Sequence, residues 1–125
     1  MKLPLIFLAF ATLVACSSQH EVSVVASARS PDGSRLGVAY VDMGGGAAGW
    51  CYVCTDVVAS KFNSSSAMCR QNRQWFRCNA TISLKWATQH RLLVTYSGEP
   101  TTVPVPVTQQ APSSPSIAMV YQQAQ

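Results

Sequence analysis

The chain has 125 residues, a formal net charge of +4 and a low content of charged side chains, 11% of the total. This length is enough for one small domain and excludes two of ordinary size. A modest positive charge suits anionic lipid headgroups or polyanionic envelope material without demanding either. The sequence has no long run of charged residues, and we expect no nucleic acid among the partners.

The N-terminus has the form of an export signal. Lys2 provides a positive charge, residues 3–13 form an apolar segment, and the small Ala15 comes directly before Cys16. Such a segment directs secretion and is removed from the mature protein. It is shorter than the about 20 apolar residues needed to cross a bilayer, which argues against a transmembrane helix.

Residues 13–16, Leu-Val-Ala-Cys, resemble the lipobox of bacterial lipoproteins. The resemblance implies that residues 1–15 are a lipoprotein signal peptide, and that Cys16 receives a diacylglycerol on its thiol and an acyl chain such as palmitate on its amine. Ser17 stands where an aspartate would imply the inner membrane, so the resemblance implies the outer membrane, at its periplasmic or its surface face. An ordinary signal with an incidental cysteine is the alternative.

A short tether, residues 16–21, leads into the predicted β domain, residues 22–98. The first strand of that domain is predicted by alternating side chains over residues 22–28. Its apolar members are expected to share one face; they are Val22, Val24, Ala26 and Ala28.

A tight turn is predicted over residues 30–33, Ser-Pro-Asp-Gly, because proline presets φ and glycine accepts a positive φ. With the strand-like residues 34–41 and 49–53, this turn resembles one repeat of the TolB-type β-propellers. A propeller needs several repeats and only one copy is present, so the resemblance implies a local strand–turn–strand unit. The same pattern occurs in small bacterial lipoproteins of no assigned activity, which this chain resembles most.

Two further strands are predicted, over about residues 36–42 and 50–58. Between them, residues 44–49 are rich in glycine. They lack the lysine and hydroxyl of a phosphate-binding loop, and neither flank is typical of a helix, so we interpret them as a flexible loop.

Four cysteines follow Cys16, namely Cys51, Cys54, Cys69 and Cys78. An even number in a small exported domain favours two disulfides. Cys51 and Cys54 point to opposite faces of the predicted strand, which favours a separate bridge from each to Cys69 and Cys78. A C-x-x-C redox motif typically lies at a helix N-terminus, whereas Cys51 and Cys54 lie in a predicted strand. A zinc site typically has closer spacing within its second ligand pair than Cys69 and Cys78 have. Both alternatives are therefore disfavoured.

The stretch from residue 68 to 79 is ambiguous and contains a candidate binding site. Arg70, Arg73 and Arg77 surround Trp75 and Phe76. Guanidinium groups interleaved with aromatic rings can bind phosphates, sugars or an acidic protein surface. The alternative is that both aromatic rings pack in the core while the arginines are solvated.

A β-hairpin is the clearest pattern in the C-terminal half. Apolar residues alternate over 82–86, residues 87–90 have the length of a hairpin loop, and the apolar face continues over 92–96. Residues 99–125 are rich in proline, glutamine and serine and predict a tail, disordered or polyproline-like over about 108–125. The apolar Ile117–Tyr121 leaves a strand there as the alternative.

The sequence thus predicts a mostly β fold, a small antiparallel sheet or sandwich of five to six disulfide-linked strands with a disordered tail. His20, His90 and the scattered acidic residues form no recognisable acid pair, catalytic triad or metal cluster. We expect no catalysis, no metal and no cofactor beyond the lipid on Cys16. The expected function is a membrane-anchored, non-catalytic binding or assembly module of the cell envelope, with a protein partner. The alternative is an inhibitor of a wall-degrading or proteolytic enzyme, because small disulfide-linked β domains present loops rigidly.

Overall fold

The computed structural model describes residues 20–46, 49–63, 69, 74–101, 107–111 and 114–125. The predicted lipobox, Arg70 and Arg73 lie outside the described residues. The described part of the chain contains eight β-strands and no α-helix. The strands are β1 (Glu21–Arg29), β2 (Arg35–Gly44), β3 (Trp50–Ala59), β4 (Trp75–Arg77), β5 (Thr81–Thr88), β6 (Arg91–Ser97), β7 (Val107–Ala111) and β8 (Ser114–Gln123).

The strands form two four-stranded sheets, in the orders β1-β2-β3-β4 and β5-β6-β8-β7. The first sheet is antiparallel throughout. In the second sheet β6 and β8 run parallel, while the other neighbours are antiparallel. The predicted class, a mostly β fold with two disulfides, is confirmed, although the strands number eight rather than five or six.

The hydrophobic core lies between the two sheets. Val57 of the first sheet packs against Leu92, Val94 and Met119 of the second. Burying one such side chain contributes about 1.5–3 kcal/mol relative to leaving it exposed. The sheets approach closely at Gly37, where a Cβ would lie 2.7 Å from a methyl carbon of Leu92. The predicted hairpin is confirmed as β5 and β6, and its alternating apolar residues supply part of the second sheet's share of this core.

The C-terminal residues correct the prediction of a disordered tail and follow the alternative. β8 pairs in parallel with β6 along six residue pairs. Ile117 and Met119 are buried in the core, and the Tyr121 hydroxyl lies 2.9 Å from that of Thr55 in the first sheet. Composition suggested disorder because glutamine and proline dominate the segment. The alternating apolar side chains at positions 117, 119 and 121 are decisive, because each of them contacts the core and stabilises the strand.

A bulge in β1 corrects the prediction that its four apolar residues share one face. The register shifts between Val24 and Ala26. Val22 and Val24 pair with even-numbered residues of β2, whereas Ala26 and Ala28 pair with odd-numbered ones. Paired residues in antiparallel strands share a face, and alternate residues point to opposite faces. The first two side chains therefore lie on the outer face of the sheet, and the last two face the second sheet.

The disulfides confirm the prediction that Cys51 and Cys54 are bridged separately rather than to each other. They join Cys51 to Cys78 and Cys54 to Cys69, with Cα atoms 5.5 and 5.7 Å apart. Cys54 packs with the cluster on the outer face of the first sheet. Cys51, three residues earlier in β3, lies on the opposite face. Each bridge is expected to stabilise the fold by about 2–4 kcal/mol, mainly by restricting the unfolded chain.

Candidate functional site

Three strand ends meet at one end of the first sheet. β1 begins where β2 ends, with Glu21 opposite Met43, and β3 begins beside it, with Trp50 opposite Gly44. We call the residues of this end, His20, Glu21, Met43, Gly45 and Trp50, the Trp50 rim. It is organised around Asp42, a buried carboxylate in β2.

Asp42 accepts hydrogen bonds from three directions. Its Oδ2 accepts from the backbone N–H of Cys69 at 2.9 Å, and its Oδ1 accepts from the indole N–H of Trp50 at 3.4 Å. The Nε2 of His20 lies 2.7 Å from the same Oδ1, an ion pair when the imidazole is protonated. Because Cys69 is bonded to Cys54, the disulfide holds that backbone donor beside the carboxylate.

These contacts decide the charge of Asp42. Burial raises the pKa of this carboxyl, but the hydrogen bonds from Cys69, Trp50 and His20 and the positive charge of a protonated His20 lower it, and the net pKa is below its usual value. A buried carboxylate is otherwise costly, so each donor offsets part of the cost of removing the charge from water. Asp42 is therefore ionised at neutral pH and fixes the three groups that contact it.

Trp50 and Met43 are exposed apolar residues of the rim. Trp50 is 41% exposed and Met43 37%. The Trp50 ring lies against Gly45, where a Cβ would come within 2.7 Å of a ring carbon and where φ is +84°. Only glycine suits both this backbone conformation and this close approach. The indole is thus held between Gly45 and Asp42 while much of its surface stays in solvent.

The opposite end of the first sheet carries the predicted turn. In it, Asp32 Oδ1 accepts from the Ser30 hydroxyl at 2.9 Å, the Ser34 backbone N–H at 2.9 Å and the Ser34 hydroxyl at 2.7 Å. These bonds, those from Ser34 first, hold the pKa of Asp32 well below its usual range. The Asp32 backbone N–H donates to Gln89 of the second sheet at 3.0 Å, and Gly33 adopts a φ of +77°. The predicted turn is confirmed, and it links the two sheets.

Basic side chains surround this turn. We call the turn and its neighbours, residues 29–35, 60–61 and 89–91, the turn end. Arg29, Lys61 and Arg91 are exposed there. Arg29 also donates to the carbonyl oxygens of Gly33 at 3.3 Å and Ser60 at 3.5 Å.

The structure separates the members of the arginine–aromatic cluster that it describes. Trp75 packs on the ring of Tyr52, with centroids 5.1 Å apart. Phe76 is fully buried between the sheets, so it has no surface to offer a ligand, and this corrects its assignment as a binding residue. Arg77 is exposed, with its Nε 3.9 Å from a carboxylate oxygen of Glu99. The alternative of core packing holds for Phe76, while Arg70 and Arg73 lie outside the described residues.

The Trp50 rim was not predicted from the sequence. The sequence offers one weak signal for it: Asp42 is a charged residue that directly follows the apolar residues of a strand.

In the part of the chain that the structure describes, no group of three or more His, Cys, Asp or Glu side chains is placed to hold a metal ion, and no helix is long and apolar enough to cross a bilayer.

The chain matches no protein-family model, no curated protein and no solved structure.

Proposed function

We propose that this chain is a lipoprotein of the outer membrane, anchored through Cys16, that acts as a non-catalytic binding module and captures an acidic protein partner of the envelope with its turn end. Several acyl chains on one residue would make the anchor stable, whereas a single chain binds a bilayer only marginally. Two disulfides in a small domain fit an oxidising compartment.

The position of the anchor relative to β1 supports an orientation in which the turn end points away from the membrane. Glu21, the first residue of β1, follows Cys16 by five residues. An extended chain spans at most about 3.6 Å per residue, so the two Cα atoms are no more than about 18 Å apart. The nine residues of β1 then run about 30 Å from the Trp50 rim to the turn end. An anchor at Cys16 would keep the rim near the membrane and leave the turn end free to point away from it.

The rigid, basic turn end is the observation that carries the proposed binding role. The Asp32 carboxylate accepts three hydrogen bonds from groups within the turn. The side chains of Arg29, Lys61 and Arg91 are exposed around it. A backbone that is already fixed loses little conformational freedom on binding. Complementary charge speeds encounter and selects the partner.

Capture from detergent-solubilised envelopes tests this proposal. The bait is the full lipidated protein, and the variant is Lys61→Gln with Arg91→Gln, which leaves the Arg29 hydrogen bonds intact. We expect partner recovery to fall about tenfold, the effect of losing roughly 1.4 kcal/mol of binding free energy. Lys85→Gln, which changes an exposed lysine of β5 outside the turn end, is the control and should capture normally.

Undiminished capture by the double variant would contradict the proposal, as would an equal loss in the Lys85→Gln control. The identity of the captured protein separates assembly from inhibition. A wall-degrading or proteolytic enzyme that loses activity in the complex would favour the inhibitor role.

A further inference from the structure

We infer that the Trp50 rim is a membrane-contact surface: Trp50 and Met43 enter the headgroup region of the bilayer that holds the lipid of Cys16. This inference rests on the anchor of the proposed function and assigns a lipid surface to the end of the sandwich opposite the proposed partner site.

The length of the tether is the first argument. Met43 is the residue paired with Glu21, and Glu21 lies within about 18 Å of Cys16 along an extended chain. The acylated residue itself sits at the level of the headgroups. The tether therefore confines the rim to the neighbourhood of the bilayer surface.

The chemistry of the rim is the second argument. Tryptophan is enriched at membrane–water interfaces because its ring is apolar and its N–H can stay hydrogen-bonded. Trp50 meets both conditions, because its N–H donates to Asp42 while 41% of its surface is exposed to solvent. Met43 adds a second exposed apolar side chain at the same end of the sheet.

The arrangement of the two side chains favours a bilayer over a protein partner. Trp50 pairs with an even-numbered residue of β2 and Met43 is an odd-numbered one, so the two point to opposite faces of the same sheet end. A partner docked on one face would cover one of them. A bilayer met end-on covers both.

The distribution of charge among the described residues favours apolar contact at the rim. The exposed Arg29, Lys61 and Arg91 lie at the far end of the sheet. In the part of the first sheet that the structure describes, the exposed charged residues near the rim are Glu21 and Arg77, one of each sign. We therefore expect apolar contact to contribute more to binding of the bilayer than the net charge of these two residues.

Quenching of tryptophan emission by brominated phospholipids tests the inference. The full lipidated protein is reconstituted in phosphatidylethanolamine–phosphatidylglycerol vesicles with or without lipid brominated near the headgroup end of its acyl chains. One of the three tryptophans lies at the rim, so we expect quenching of roughly a third of the emission. Trp50→Phe should abolish that quenching. Trp86→Phe is the matched control at the opposite end, where its N–H donates to the Ala28 carbonyl, and should retain it.

Mass spectrometry of the same vesicle sample separates the two ways of failing. If Cys16 carries lipid and Trp50 is not quenched, the membrane contact is refuted and the anchor stands. If Cys16 carries no lipid, both proposals fall. The inference is also refuted if aqueous iodide quenches Trp50 in the anchored protein. It is likewise refuted if Trp50 is shielded only at high protein density, because a second copy of the chain then covers it.

Discussion

Two aspartates organise the two ends of the first sheet, and they do so under opposite conditions. Asp42 is buried, 5% exposed, and gathers donors that are distant in sequence, from Cys69, Trp50 and His20. Asp32 is exposed, and the hydrogen bonds to its carboxylate come mainly from Ser34 and Ser30, within two residues. Both carboxyls have a lowered pKa. The same side chain thus fixes a tertiary site at one end and a local turn at the other.

This difference indicates which end of the first sheet depends for its structure on distant parts of the chain. A buried carboxylate that loses its donors is left with an uncompensated desolvation cost, whereas an exposed one exchanges them for water. We therefore expect the Trp50 rim to be sensitive to distant changes and the turn end to be sensitive mainly to local ones.

Removal of a disulfide should give the largest loss of stability, and removal of the one at the Asp42 cluster should also change the surroundings of Trp50. Cys54→Ala with Cys69→Ala opens a loop with a sequence separation of 15, and the expected loss is about 3 kcal/mol of unfolding free energy. The Cys69 N–H is then no longer held at Asp42, so the iodide accessibility of Trp50 should also change. Chemical denaturation and iodide quenching measure the two effects.

Cys51→Ala with Cys78→Ala is the matched control. It opens a loop with a sequence separation of 27 and should cost a similar about 3–4 kcal/mol. It leaves Cys69 bonded to Cys54, so the iodide accessibility of Trp50 in the folded state should change less than in the first variant. An equal change in both variants would contradict the specific role of Cys69.

Asp42→Asn should have the next largest effect. The new amide presents N–H groups toward donors and leaves at least one of them without an acceptor, at an expected cost of about 1–3 kcal/mol. Iodide should quench Trp50 more strongly because its ring is no longer fixed. Thermal unfolding and iodide quenching measure the two effects, with the exposed neighbour Glu21→Gln as the control that should change neither.

Asp32→Asn should lower the unfolding temperature by less than Asp42→Asn. Its donors can turn to water, and the Gln89 link uses the backbone N–H, which the substitution keeps. The near-ultraviolet spectrum of the folded protein should be unchanged. A larger loss than for Asp42→Asn would reverse the comparison between the two ends.

Acid should weaken the fold through both carboxyls, as the smallest of these effects. A lowered pKa in the folded state means that the unfolded chain binds protons first, so stability is present above the unfolded value near 3.9 and is lost as the pH falls through the folded value. The unfolding free energy of the native protein should therefore begin to fall near about pH 5 and continue to fall below about pH 3. Asp42→Asn and Asp32→Asn should each flatten that dependence, and a dependence that neither variant flattens would contradict the assignment.

Local patterns predicted the local structure. The turn over residues 30–33 depends on a proline, a glycine and donors within two residues, all visible in the sequence. The two faces of β3 followed from the spacing of Cys51 and Cys54, which left two disulfides on opposite faces. The β5–β6 hairpin followed from strict alternation.

Long-range relations escaped prediction for a physical reason. The bulge near Val25 arises from pairing with β2 and leaves no mark in an apolar strand. β8 is stabilised by residues of both sheets, which outweigh the composition of its own segment. The donors of Asp42 come from positions 20, 50 and 69, which only the folded chain brings together.

The mass of the N-terminal peptide of the mature protein, extracted from the membranes of a bacterium that expresses the full chain, tests the central claim most directly. That claim is that a lipid on Cys16 anchors the chain to a membrane of the cell envelope. We predict a peptide that begins at Cys16 and carries a diacylglycerol thioether and an acylated amine. A peptide that begins elsewhere, or at a cysteine with a free thiol and a free amine, would contradict the account.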